Sequence, residues 1–527
     1  MTTNCHSTTS EGWASRPYLL ASGRKRASGL PLIPCIVLTA LLALSARAQI
    51  QQAWVATYNN GILGGTNQAV KMALDPAGNI YVTGFSQNAN TNLGYVTIKY
   101  APNGHQLWAA RYDSTNDPSA VPAGLVLDGS NNVVVTGSAL TAKYDANGNQ
   151  LWTAPYSGAA VAMDTGGNSV VTGFDSGFNT VKISPAGTNL WFMTYISVFG
   201  PAASQVVAVD GSSNVYVAGA NTYACGSEDP GHQICVVDML MVKYDQNGNQ
   251  LWTAENMEGS DPWVQVAGLA LDSAANIYVV ANGHYDPYST FKYAADGSEV
   301  WAALNPDDSC GSDVVHGLGL DSFGNVFVTG QSCYFAPNFA YATFAYGTYK
   351  ANTNGSWVWT NSYPSVPVQP SVATSIAIDS ANGVYVTGYS TSTNSGNDIV
   401  TIKYDPNGNQ VWLQRYNGPG SGDDEGKAIA VDKSGNVYVT GYETTAAGGT
   451  EIVTLKYSPV ALQRRTDGTV LLQAQGSPGE SFDIRASADL QSWLDLGSVT
   501  ADTNGLMQFD DTNAPHYNAR FYVTSPQ

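Results

Sequence analysis

Thr97-Ile98-Lys99-Tyr100-Ala101-Pro102-Asn103-Gly104-His105-Gln106-Leu107-Trp108 carries the pattern on which the reading of this chain turns: a lysine closing one apolar run and a tryptophan nine residues later opening the next. The same step joins Lys143 to Trp152, Lys182 to Trp191, Lys243 to Trp252, Lys292 to Trp301, Lys350 to Trp359 and Lys403 to Trp412. An eighth lysine, Lys456, breaks it, because Arg465 stands where the tryptophan belongs. A tryptophan without a lysine, Trp54, precedes the first unit.

A second unit alternates with the first. Met72 to Gly84 reads M-A-L-D-P-A-G-N-I-Y-V-T-G, and its aspartate returns as Asp128, Asp164, Asp210, Asp272, Asp321, Asp379 and Asp432. From Asp75 to Asp432 there are seven steps with a mean of 51 residues. Each unit predicts four strands. Strand A is the apolar run before the aspartate. Strand B is the β-branched and aromatic Ile-Tyr-Val-Thr type. Strand C ends in Lys-Tyr, and strand D opens with the tryptophan. D-x-x-G-N and D-x-N-G stretches such as Asp405-Pro406-Asn407-Gly408 make the A–B and C–D turns, since Asp caps turn amides and Gly or Asn accepts positive φ. Four strands on a period near 50 predict propeller blades. The fold expected is all-β: an eight-bladed β-propeller over residues 51–459, then a small C-terminal β-sandwich-like module over 460–527. The eighth unit lacks strand D, and residues 54–58 supply it, so the N-terminal strand closes the ring and removes an open edge.

With both motifs repeated, the chain resembles bacterial beta-propeller repeat proteins of the SBBP type. Lys-Tyr-Asp-x-Asn-Gly-x-x-x-Trp also resembles the tryptophan-docking motif of pyrroloquinoline quinone dehydrogenases, where it is structural and pins one blade to the next. That family's adjacent cysteine pair is missing from this sequence. In the tail, Ala488-Asp489-Leu490-Gln491-Ser492-Trp493 and Arg520-Phe521-Tyr522 resemble a β module at the C-termini of secreted proteins from environmental bacteria. Tail strands are expected at 470–475, 481–486, 493–499, 507–510 and 520–524.

Residues 1–48 read as a signal peptide: Arg24-Lys25-Arg26, the apolar run Leu30 to Leu44, and Ala46-Arg47-Ala48 as cleavage site. The expected location is therefore secreted, cell-surface or periplasmic, with no membrane span in the mature chain. The formal charge is −19, and loss of five basic residues and one acidic residue with the leader takes it to −23. So acidic a surface repels phosphate backbones, which excludes nucleic acid as the expected partner. A monomer is expected. Cys225, Cys235, Cys310 and Cys333 remain after cleavage, and an even number in an exported chain predicts disulfides. The expected pairs are Cys225–Cys235 within one B–C connection and Cys310–Cys333 between two connections of one face.

The A–B and C–D turns are short and uniform, whereas the D–A and B–C connections vary and share the opposite face. Binding belongs on variable loops held by a rigid scaffold. Trp263, Tyr285, Tyr288, Tyr334 and Phe335 are the candidate ligand contacts, a platform for a glycan or peptide. The bland alternative has these rings packing the loops onto the disc. His105, His232, His284, His316 and His516 lack metal-ligand spacing and read as surface or loop residues. No catalytic residues, metal ligands or cofactors are assigned. Asp307-Asp308, Asp423-Asp424-Glu425 and Glu228-Asp229 offer oxygens to Ca²⁺ or are simply solvated. The repeated Asp75 and Lys99 types are structural in this reading: either the lysine reaches across strand B to the carboxylate, or the aspartate only caps its own turn and the lysine is solvated. The function expected is non-enzymatic binding or surface scaffolding. The alternative is a propeller hydrolase or lyase acting on an extracellular polysaccharide.

Overall fold

The structure is a computed structural model. It describes residues 50–526 apart from 174–176, 198–201, 230–231, 257–263, 284–287, 305–312, 336–341, 364–369, 477, 489–490, 504 and 518–519. Among the described residues there are eight four-stranded antiparallel sheets. The first pairs Asn67–Leu74, Ile80–Gln87, Leu93–Tyr100 and Gln106–Tyr112 in order A to D, and the next six repeat that order. The eighth consists of Glu425–Val431, Val437–Thr444 and Thr450–Pro459, with Ile50–Tyr58 as its outer strand. Each strand A packs against the strands A on either side, and that of sheet eight packs against that of sheet one, so the ring is closed.

Closure has the register that the motif demands. Trp54 pairs with Lys456 as Trp108 pairs with Lys99, and in both the residue before the tryptophan is bulged out of the ladder. Strand B is buried on both faces, for example Ile80 to Gly84, because each sheet is covered by a neighbour on either side. That is why strand B reads as a continuous run rather than an alternating one. Strand A is also bulged, five residues before the repeated aspartate, in every sheet except the third.

The tail forms two three-stranded sheets, Ala461–Arg464 with Val470–Gln475 and Leu506–Asp511, and Leu494–Thr500 with Ser481–Ser487 and Phe521–Pro526. Leu472, Phe482, Ile484, Met507 and Tyr522 make their common core. Ala461–Arg464 was not expected as a strand. All four of its residues are exposed, so no buried face imposes an alternation to read. The tail meets the closing strand through Gln51, whose Nε2 donates to the Gln475 carbonyl at 2.7 Å and whose Oε1 accepts from the Thr524 hydroxyl.

Candidate functional site

The A–B and C–D turns share one face, and their polar groups are bonded to each other. Asp75 Oδ1 accepts from the amides of Ala77 and Asn79 at 3.0 and 2.9 Å, and Oδ2 accepts from Asn79 Nδ2 at 2.7 Å. The other units repeat this, except that Gly383 has no side chain to donate. The tryptophan then reaches the next sheet. Trp108 Nε1 and Lys99 Nζ both donate to the Ala146 carbonyl at 3.0 Å. Trp191 with Lys182, Trp252 with Lys243, and Trp359 with Lys350 converge likewise on Gln246, Ala295 and Pro406. Glycine in the receiving turn is obligatory. At Gly148, φ is +88°, and a Cβ would lie 2.7 Å from the Trp108 ring.

Whether the lysine also reaches the aspartate depends on the second residue of strand B. With Val134 or Val170 there, nothing intervenes, and Lys143–Asp128 and Lys182–Asp164 close to 2.8 Å. With Tyr216, Tyr278, Tyr385 or Tyr438, the ring lies under the ammonium, 4.6–5.5 Å from its centroid, and the phenol donates to Asp210, Asp272, Asp379 or Asp432, although Lys403 still comes within 3.7 Å of Asp379. Tyr81 carries Lys99 at 4.8 Å in the same way, but its hydroxyl donates to the Asn131 carbonyl. Phe327 has no hydroxyl, and Lys350 stops 3.9 Å from Asp321. Burial alone would raise the Asp164 carboxyl; Lys182, Asn168 and the turn amides outweigh it and hold the group below its usual range. The direct Asp–Lys pair thus occurs in some sheets, but the solvated lysine of the other alternative does not hold, since Lys99, Lys243 and Lys456 are buried and bonded to carbonyls of the next sheet. A cleft of about 510 Å³ between sheets three and four on this face is lined by Asp164, Asn168, Lys182, Leu190, Trp191 and Gln246.

The opposite face carries the variable connections. In sheet four, Val215–Asp229 and His232–Tyr244 form a hairpin far longer than its equivalents, with Cys225 and Cys235 as register partners. The expected loop is therefore largely paired strand. In sheet six, Val326–Phe335 pairs with Ala342–Ala351 and includes the backbone of Tyr334 and Phe335. Cys333 is buried and disulfide-bonded. Trp263, Tyr285, Cys310 and Asp307-Asp308 lie outside the described residues.

Tyr288 does not fit the expected platform. It is 0 % exposed, at φ +60°, with its ring 5.0 Å from that of Tyr349. It fills the space over Gly330 and Gly347, where side chains would collide with its hydroxyl. It anchors the loop and presents nothing to a ligand. The Asp423-Asp424-Glu425 run is likewise engaged internally. Asp424 accepts from the amides of Gly418 and Thr444, and Glu425 pairs with Lys427 at 2.6 Å. Among the described residues no three His, Cys, Asp or Glu side chains are grouped to hold a metal ion. Nor is any described helix long and apolar enough to cross a membrane.

A carboxylate pair escaped the sequence reading. Glu443 and Glu451 are register partners at the variable-face end of sheet eight. Glu443 is buried, accepts from the Tyr416 hydroxyl at 2.5 Å, and is pushed up to about 7 by burial, against the lowering bond from Tyr416, with Glu451 and Asp424 adding to the rise. Asn59, just past the closing strand, donates to Glu451 at 2.9 Å. The signal lay in their equal offsets from the Thr444–Thr450 end of the hairpin.

Residues 411–442 match the family described as beta-propeller repeat (SBBP). The matched stretch runs from strand D of sheet seven into strand B of sheet eight, so the sequence repeat straddles two sheets. No curated protein matches the chain. Among solved structures, a Bacteroides caccae protein of unknown function is 14 % identical, with 54 % of this chain and 93 % of that one covered and a TM-score of 0.33. Kuenenia stuttgartiensis hydrazine synthase is 9 % identical, with 63 % and 94 % covered and a TM-score of 0.41. A glucose dehydrogenase is 10 % identical, with 63 % and 95 % covered and a TM-score of 0.33.

Proposed function

We propose that this propeller, with its beta-propeller repeat, is an exported, non-enzymatic binding or cell-surface protein that takes a glycan or peptide on its variable face. The observation that carries this reading is a contrast between faces. On the uniform face the repeated aspartates, asparagines, lysines and indole N–H groups are bonded to one another, so that face is built to hold the ring together. On the variable face, sheets four and six extend long hairpins beyond the common frame. Export by residues 1–48 and the disulfides Cys225–Cys235 and Cys310–Cys333 belong to the same proposal. Cross-links there would reduce the entropy lost on binding.

The test is a glycan and peptide array with purified protein, run beside a polysaccharide-degradation screen. Binding without released product supports the reading. Released product with turnover would favour a hydrolase or lyase. Alanine at Trp263, Tyr285, Tyr334 and Phe335 should weaken binding while the fold persists.

A further inference from the structure

We infer that the central channel binds a small inorganic or carboxylate-type anion on an arc formed by His316, Lys427 and Lys71. Strand A of every sheet lies innermost, so the eight of them wall the axis of the ring. In a protein with 41 acidic and 22 basic residues, these strands carry two lysines, one histidine and one glutamate. The cations are not scattered. His316 belongs to sheet six, Lys427 to sheet eight and Lys71 to sheet one, and Thr374 of sheet seven completes the arc.

Their height in the channel also agrees. His316, Thr374 and Lys427 are the bulged residues of their strands, and Lys71 follows directly on the bulge of its own. Where Lys71 stands, the other sheets have Gly124, Ala160, Val206, Gly268, Gly317, Ser375 and Ala428.

Polar bulge residues elsewhere in the ring are occupied. Gln205 Oε1 accepts from the Val266 amide at 2.6 Å, and Thr374 Oγ1 donates to the Gly426 carbonyl at 2.6 Å. His316 and Lys71 are both exposed and have no hydrogen-bond partner among the described residues. Lys427 has Glu425 at 2.6 Å. The nearby Asp313 and Asp424 carboxylates accept backbone amides. The strands A of sheets five and seven and the adjoining Val326–Phe335 carry no charged residue. Enclosure and Lys427 hold the His316 imidazole below its usual range, and enclosure lowers the Lys71 ammonium. An anion relieves both, so its binding is coupled to proton uptake by His316. The site is separate from the variable-face surface, whose ligand is neutral or cationic.

The probe is inorganic sulfate, which does not titrate near neutrality. It is added to the purified protein at about pH 6 and about pH 8, on either side of ordinary histidine titration, while the His316 ring signals are followed by NMR. We expect a saturable shift at His316, tighter at the lower pH. Lys71→Met should weaken binding about tenfold, the scale of one charge-assisted hydrogen bond. Lys71→Arg should keep it. Lys433→Met makes the same charge change in an exposed turn and should bind sulfate like the parent. The inference is overturned if His316 does not respond to sulfate, or if Lys71→Met and Lys433→Met weaken binding equally, which would mark a general charge effect. Thermal unfolding of each variant distinguishes a lost site from a lost fold.

Discussion

Trp54 lies opposite Lys456, and both donate to the carbonyl oxygen of Pro102, at 3.0 and 3.1 Å. One strand that precedes the repeats and one from their end are thus pinned to sheet one by the bonds that pin sheet one to sheet two. The Trp54 ring is 4 % exposed and packs on Gly104. Trp54→Ala should destabilise the protein by roughly 3–5 kcal/mol in urea unfolding, the usual range for a buried aromatic. A loss under about 1 kcal/mol would mean that closure contributes little to stability.

The lysines are not equivalent. Lys143 is 2 % exposed and paired directly with Asp128 at 2.8 Å, so Lys143→Met leaves a largely enclosed carboxylate to Asn132 and the turn amides, without its cation. We expect a cost of about 3–5 kcal/mol there. Lys292 lies over the Tyr278 ring at 4.9 Å, while Asp272 keeps its phenol and asparagine donors. Lys292→Met should cost roughly 1 kcal/mol. Equal losses by chemical denaturation would contradict the sheet-by-sheet rule.

Glu443 sets a pH dependence. Its carboxyl is held protonated up to about 7, against 4.5 for an ordinary glutamate, so between these values the folded chain binds more protons than the unfolded one. Stability from this group is therefore complete below about pH 4.5 and falls as pH rises to about 7. Allowing for solvent screening, the loss is roughly 1–2 kcal/mol. Glu443→Gln should remove that slope and be more stable than the parent at pH 8. A slope unchanged in the variant would place it elsewhere.

Tyr288 separates packing from binding. Its hydroxyl is buried without a partner among the described residues, so Tyr288→Phe should be neutral or slightly stabilising. Tyr288→Ala empties a core site and should cost about 3–5 kcal/mol. Differential scanning calorimetry of the two variants decides whether the residue is core.

The ring was legible because its device is periodic. Trp and Lys recur at one spacing, and the gap at Arg465 and the surplus at Trp54 identify the strand that closes it. The Val-or-Tyr rule at positions such as Val134 and Tyr278 was also written in the repeat, but only the structure shows the ring standing between ammonium and carboxylate. The variable face was less legible, because composition does not say whether an aromatic points out or in. Tyr288 reads like Tyr285 in sequence and is nevertheless core. His316 read only as a surface or loop residue; it is exposed, but a single histidine in Val314–Leu320 gives no sign that its strand is innermost and bulged. Glu443 and Glu451 meet only through register.

The most direct test of the binding account replaces the sheet-four hairpin beyond Thr222 and Val237 with a short turn of the kind found in sheet two. Its affinity for an array-identified glycan or peptide is then compared with that of the parent and of Leu190→Ser on the uniform face. The account predicts that the trimmed protein folds but loses binding, while Leu190→Ser binds normally. Binding retained on trimming and lost in Leu190→Ser would place the ligand on the wrong side of the disc.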